Sequence, residues 1–205
     1  ETMAKNGTDG KVIMLEKMPR PGRQIMITGK GRCNFTNVKP WNEFNGHIHP
    51  KPNFLKPSFY NLTSEKMVDY LQEHGMEAVI ERGDRAFPAS HLASDVVDAL
   101  VRAAEDAGAK IHCGKEVRTI SRQTRNESCH PEQSKGSFAI ECTDGSEYTC
   151  GKLIICTGGL SYPKTGSTGD GYIWAKQLGH SIRPLFPSLT AIVPKGYKHD
   201  STDSE

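Results

Sequence analysis

Several short segments of this sequence carry residue types that could hold a nucleotide. The run Lys11-Val12-Ile13-Met14-Leu15-Glu16 is apolar and ends in a carboxylate, and a carboxylate at a strand's end can accept hydrogen bonds from ribose hydroxyls. No G-x-G-x-x-G stands before it, and only Gly7 and Gly10 lie upstream, so Glu16 taken alone also reads as a solvated strand end. Pro21-Gly22-Arg23 follows, and then Thr28-Gly29-Lys30-Gly31-Arg32-Cys33-Asn34-Phe35-Thr36-Asn37. Bare glycine backbone lets N–H groups approach an anion closely, and arginine adds paired donors. A polar surface loop has the same composition. The second glycine cluster, Thr157-Gly158-Gly159, comes directly after the apolar run Leu153 to Cys156, where a sheet's carboxyl edge passes close to a ligand. Tyr162 to Gly171 then leads into a helix whose first turn favours acceptor groups; a plain connecting turn is the alternative.

Other chemistry has less support. The six cysteines, Cys33, Cys113, Cys129, Cys142, Cys150 and Cys156, match neither a CxxC redox pair nor a zinc framework, so free thiols and no metal site are expected. Cys33 has no companion thiol within two or three residues, which favours packing over redox work. His91 and His180 read as structural. The sequons at Asn34, Asn61 and Asn126 read as chance matches.

These groups need elements to position them. Lys11–Glu16 reads as the first strand, and Pro19 to Pro57 shows neither helical nor strand period, a long irregular segment. Ser64 to Gly75 reads as a helix with Thr63 or Ser64 as N-cap and Gly75 as stop. A strand over Glu77–Glu81 and a turn at Gly83-Asp84 follow. The stripe Val96, Val97, Leu100, Val101 and Ala104 predicts a helix from Ala93 to Ala107. Strands are expected over Lys110–Cys113, Glu116–Ser121, Ser137–Thr143 and Glu147–Cys150, with Asp144-Gly145 as a hairpin turn and 122–136 as an exposed polar loop. Lys152–Cys156 reads as a further strand and Gly169–Leu178 as the last helix. The alternation points to an α/β sheet with a small antiparallel excursion.

The chain has 205 residues, with 26 basic residues against 24 acidic and 36% hydrophobic content. That balance excludes a strongly basic nucleic-acid footprint, so nucleic acid is a disfavoured partner. The apolar runs are too short for a bilayer, and no secretory leader is visible. A cytoplasmic protein is expected.

Taken together, Glu16-Lys17 with Gly22-Arg23, the run from Ile27 to Asn37, Thr157 to Pro163 and Thr168-Gly169-Asp170-Gly171 resemble the bacterial NAD(FAD)-utilising dehydrogenases, also described as BaiN-like or aminoacetone-oxidase-like flavoproteins, over residues 11 to 194. The resemblance implies an incomplete Rossmann-type FAD-binding domain of the two-dinucleotide-binding class, with a small antiparallel β-meander. It implies that Glu16 and Lys17 bind at the adenosine ribose, that Gly22 and Arg23 lie along the dinucleotide, and that Thr28, Gly29, Gly31, Arg32, Cys33 and Asn34 line the flavin side. Val117 would meet adenine through its backbone, and Thr157, Gly158 and Gly159 would form the second strand-end contact. Members of the family begin with a strand and glycine-rich turn that are not found upstream of Glu16, and continue into an inserted substrate domain. The expectation is therefore a partial FAD domain over 1–194, a disordered tail over 195–205, and weak or no FAD binding by the chain itself. The full-length parent is expected to pass two electrons from NAD(P)H to an organic acceptor, alkene or enone reduction being one option. A flavin-binding module acting in RNA modification and an inactive fragment are the alternatives. No acid–base residue is assigned, and the substrate and oligomeric state are left open.

Overall fold

The computed structural model describes residues 11–49, 51–123 and 137–187. Two strands set the frame: β1 (Ile13–Glu16) and β5 (Lys110–Cys113) lie parallel, in register from Ile13 opposite Lys110 to Glu16 opposite Cys113. A parallel pair needs a crossover, and residues 17–109 supply it. Lys110 N–H donates to Val12 O and Lys115 N–H to Glu16 O, both at 2.9 Å. The strands thus end together, with Glu16 at the carboxyl edge.

The crossover is built on two amphipathic helices, α4 (Ser64–Glu73) and α5 (Ala93–Asp106). Thr63 caps α4 by accepting from Lys66 N–H at 3.2 Å, which satisfies one of the helix's orphan donors. Leu71 on α4 and Val96 and Ala99 on α5 form a core with Cys33, Met76 and Ala93. Arg102 of α5 donates twice to His74 O, at 2.7 and 2.9 Å, joining the two helices where α4 ends.

Three antiparallel strands, β2 (Thr36–Asn37), β4 (Arg85–Pro88) and β3 (Ala78–Glu81), form a sheet in that order. The strand β4 was not expected from sequence. Its residues Ala86, Phe87 and Pro88 are buried, and a proline argues against a central strand; here it stands at the last position. A second antiparallel sheet, β6 (Val117–Gln123), β7 (Ser137–Cys142) and β8 (Glu147–Cys150), is the expected meander. Its Asp144-Gly145 turn is closed by Ser146 N–H donating to Asp144 Oδ1 at 2.9 Å. Hydrogen bonds from Lys115 and Ser146 hold the Asp144 carboxyl well below the usual carboxylate range. The last helix, α6 (Asp170–Gln177), places Trp174 against Ile120 and Ile140 of the meander.

Two expectations are corrected. Lys152–Cys156 is not a strand: these residues form no ladder among the described residues. Their alternation is still that of extended chain, since Leu153 and Ile155 pack on the Ile120–Ile140–Trp174 core while Ile154 is 68% exposed. Burial of alternate side chains is legible in sequence, but a strand also needs a hydrogen-bonding neighbour. The segment from Pro19 to Pro57 is not irregular throughout. It carries α1 (Arg23–Ile27), a 3₁₀ turn at Thr28–Gly31, β2, α2 (Trp41–Phe44), two further 3₁₀ turns and the start of α3 (Lys56–Asn61). These helices of four to six residues are too short to display a period, and packing holds them: Trp41, Phe44, Phe59 and Tyr60 form one aromatic cluster with centroids 5.2–6.4 Å apart. The chain start, residues 124–136 with Asn126 and Cys129, Ser188 to Pro194 and residues 195–205 lie outside the described residues; of the loop expected over 122–136, Arg122 and Gln123 instead continue β6, paired with Phe138 and Ser137. Among the described residues, no helix is long and apolar enough to cross a membrane, and no His/Cys/Asp/Glu group could hold a metal.

Candidate functional site

Three segments distant in sequence meet at the carboxyl end of β1. Lys17, immediately after Glu16, extends its Nζ to Thr168 Oγ1 at 2.6 Å and Asp170 Oδ2 at 2.8 Å. This ties the strand end to the first turn of α6. Burial alone would raise the Asp170 pKa, but the hydrogen bonds from Lys17 and Thr168, with the Lys17 charge, overcome it and hold the carboxyl below its ordinary value. Glu16 itself accepts one hydrogen bond, Met18 N–H to Oε1 at 2.8 Å; its other oxygen has no protein partner among the described residues.

The Thr157–Gly159 segment packs against the same α6 turn and the start of α1. Gly158 has φ +73°, and a Cβ there would stand 2.8 Å from Ser167 Oγ and 3.6 Å from Gln24 Oε1. Both backbone conformation and space therefore require glycine. Ser167 is 5% exposed and donates to Gln24 Oε1 at 2.9 Å, which brings the first turn of α1 to the glycine pair. Thr157 Oγ1 is buried without a hydrogen-bond partner among the described residues, facing Gly171 so closely that a Cβ on Gly171 would lie 2.6 Å from it. Gly22 precedes α1, its missing Cβ lying 2.8 Å from Val97 Cγ2 on α5, while the Arg23 side chain is exposed with no ion pair among the described residues.

The Thr28–Asn34 loop occupies a second location, against the β2–β4–β3 sheet. Thr28 Oγ1 donates to Ile25 O at 2.7 Å, Cys33 N–H to Thr28 O at 3.1 Å and Phe35 N–H to Ala86 O at 3.1 Å. With its amide correctly oriented, Asn34 donates to Thr36 O at 3.0 Å and Ala86 O at 3.3 Å. Arg32 is committed to the protein: Nη1 pairs with Glu81 at 3.0 Å, and the guanidinium carbon lies 4.5 Å from the Phe87 ring centroid. Gly29 and Gly31 stay exposed on the outer side of this loop. Cys33, at 4% exposure, packs with Leu71, Met76 and Val96. His91 stands 3.7 Å from Glu81, beside Arg32.

Val117 opens β6, two residues beyond Lys115, whose N–H bonds Glu16 O. The backbone at a bulge between Val117 and Thr119 therefore lies along the chain from the strand end. A separate cleft of about 350 Å³ is lined by Lys39, Trp41, Phe59, Tyr60, Thr63 and Glu65, among others, and by none of the residues expected at the site.

Gln24 and Ser167 were not singled out by sequence. Gln24 stands just after the Gly22-Arg23 pair and Ser167 inside the Tyr162–Gly171 run, but they are 143 positions apart, and neither was given a role of its own. The arrangement has the parts a dinucleotide site needs: a strand-end carboxylate with one oxygen open, a bare turn at Gly158, and an orphaned hydroxyl at Thr157. The residues present fit a bound dinucleotide.

Comparison with known proteins agrees with that fit. The family described as "HI0933-like protein Rossmann domain" matches residues 2–191. The chain is 29% identical over 179 residues to the ribosomal RNA dihydrouridine synthase of Escherichia coli K12, covering 87% of this chain and 41% of that protein. It is 28% identical over 187 residues to the Haemophilus influenzae protein of the same name, covering 91% and 43%. It is 26% identical over 192 residues to the 3-dehydro-bile acid delta(4,6)-reductase of Clostridium scindens, covering 94% and 43%. The chain thus spans about two fifths of the length of these relatives.

Proposed function

The chain belongs to the HI0933-like Rossmann-domain family, and from that premise we propose that it forms the FAD-binding portion of an oxidoreductase that reduces a carbon–carbon double bond conjugated to a carbonyl. The observation that carries the proposal is the meeting of Glu16, the Gly158 turn and the first turn of α6 at one sheet edge, the place where Rossmann-type sheets take a dinucleotide. The names of the relatives supply the reaction class. Making dihydrouridine and reducing a delta(4,6) bile acid are both additions of two hydrogens across a double bond activated by a carbonyl.

Bound FAD would take two electrons from NAD(P)H and supply them, with hydrogen, to such an alkene. The chain's own residues bind and orient. Glu16 would accept from ribose hydroxyls through its open oxygen. Gly158 would let the backbone come close to the cofactor, and Thr157 would add a hydroxyl. The Lys17–Asp170 pair locks the α6 turn against the strand end, so that both walls hold still. The outer side of the Thr28–Asn34 loop, with Gly29 and Gly31, would border the flavin. We place the protein in the cytoplasm, where NAD(P)H is present and the free cysteines stay reduced.

A second reading, action on RNA rather than on a small enone, is favoured by the names of two relatives. The near-neutral balance of charges opposes a broad phosphate footprint within this chain. The full-length protein should quench flavin fluorescence when titrated with FAD. It should then oxidise NADH or NADPH anaerobically when given either a ribosomal RNA transcript or a 4-en-3-one steroid. Consumption with only one of the two identifies the substrate class. No flavin binding and no oxidation with either would refute the proposal.

A further inference from the structure

The pairing of Gln24 with Ser167 leaves a donor without a protein role. A primary amide offers an acceptor oxygen and a nitrogen with two donors. The buried Ser167 hydroxyl donates to Oε1 at 2.9 Å, which fixes the plane and sense of the amide. Nε2 then has no hydrogen-bond partner among the described residues. The pinned amide stands beside the Gly158 turn, its Oε1 3.6 Å from where a Cβ on Gly158 would be. Gln24 is half-buried, so an unused donor here is partly screened from water and gains from a fixed acceptor.

The charges at this turn say what the acceptor is. Gln24, Ser167 and Thr157 are all neutral. The nearby cation Lys17 is already paired with Asp170 at 2.8 Å. Phosphates are held best by charged donors or rows of backbone N–H groups; Arg23, one residue along, exposed and without an ion pair among the described residues, is the charged donor here, which leaves the neutral Gln24 amide for an uncharged acceptor. We propose that Gln24 is a flavin-binding residue whose Nε2–H₂ donates to an uncharged acceptor on the isoalloxazine ring, with Ser167 as the positioning residue that sets the amide. This rests on the reading of the chain as a flavin-binding domain.

The variant Gln24→Glu separates the two roles. It keeps an oxygen for the Ser167 hydroxyl and preserves shape, but removes the donor. In the full-length protein, binding of FAD, FMN and ADP should be measured by fluorescence quenching and calorimetry, with thermal melting as the control for folding. We expect Q24E to weaken FAD and FMN alike by roughly tenfold, to shift the flavin absorption band of the bound state, and to leave ADP binding and the melting temperature unchanged. Ser167→Ala, which frees the amide, should produce a smaller loss of the same kind. Wild-type affinity for FMN in Q24E would overturn the proposal, as would a loss for ADP equal to that for FAD, because the contact would then lie on the phosphates. Failure of the unaltered protein to bind FAD or FMN overturns the flavin reading itself, and is distinguished by appearing before any substitution is made.

Discussion

Gly158→Ala tests whether the turn at the sheet edge is held as tightly as its geometry indicates. The substitution has two costs. At φ +73° an alanine sits in the left-handed region, which costs about 1–2 kcal/mol. Its Cβ would also stand 2.8 Å from Ser167 Oγ. Because Ser167 is buried, that contact is relieved most easily by rotating the hydroxyl away, which breaks its bond to Gln24 and costs about 0.5–1.5 kcal/mol. The total is about 1.5–3.5 kcal/mol. Two companions separate the parts. Gly145→Ala has φ +81° with nothing within 4 Å of the new methyl, so it reports the backbone cost alone. In a Ser167→Ala background the clash disappears, and Gly158→Ala should then cost no more than Gly145→Ala does in the unaltered chain. Urea unfolding with a constant m-value measures all of these, and the cycle of Gly158→Ala with Ser167→Ala should show about 0.5–1.5 kcal/mol of coupling. Equal costs for Gly158→Ala and Gly145→Ala, or additive costs in the cycle, would refute the close contact and with it the fixed amide of Gln24.

Other outcomes follow from the same geometry. Asp170→Asn should remove a pH-dependent contribution: the folded carboxyl lies below its ordinary value, so its stabilisation is complete above about pH 4 and fades as the pH falls through the folded value. The partly exposed pair is worth about 0.2–1 kcal/mol, so unfolding curves from pH 7 down to pH 2 should converge for the two proteins at the acid end; a difference that grows on acidification contradicts the assignment. Cys113 and Cys156 are exposed while Cys33 and Cys142 are buried, so a thiol reagent should label the first two rapidly and Cys33 only on unfolding; fast labelling of Cys33 in the folded protein would reopen a redox role. Leu71→Ala, at a side chain 1% exposed, should cost about 2–5 kcal/mol and lower the melting temperature, and an unchanged melting temperature would mean that α4 does not share the α5 core.

Much of the frame was legible because its signals are local and periodic. The Thr63 cap of α4, the Val96–Val97 part of the expected α5 stripe and the alternation and turn of the meander are written in residues a few positions apart. What escaped depends on partners far away in the chain. Lys152 to Cys156 shows the side-chain alternation of a strand, yet its backbone finds no ladder among the described residues, and nothing in five residues can announce that. Arg85 to Pro88 is the converse: a charged residue, an alanine, a phenylalanine and a proline do not spell a strand, but β2 and β3 pair on either side of it, while Phe87 is covered by the Arg32 and Arg85 guanidiniums. The short helices between Gly22 and Asn61 are held by an aromatic cluster and by the close approach of Gly22 to Val97, not by their own propensity.

The site divides along the same line. Sequence shows where a side chain is missing, as at Gly158, but not what takes the vacated space. Glycine pairs after apolar runs are common, and this one acquires a meaning only when Ser167 and Gln24 are seen across it, one on each neighbouring segment. The same holds for Lys17, whose role as a tie becomes visible once Thr168 and Asp170 are placed around its ammonium. A further distinction follows for the Thr28–Asn34 loop. Its motif is the most specific part of the sequence, yet Arg32, Cys33 and Asn34 spend their side chains on Glu81, the α4–α5 core and the β4 backbone. Such a loop can be indispensable to a cofactor site while offering it chiefly backbone, the side chains serving to hold Gly29 and Gly31 outward. Substituting Arg32 should then weaken flavin binding in proportion to the stability lost, whereas Gln24→Glu should weaken it with no loss of stability.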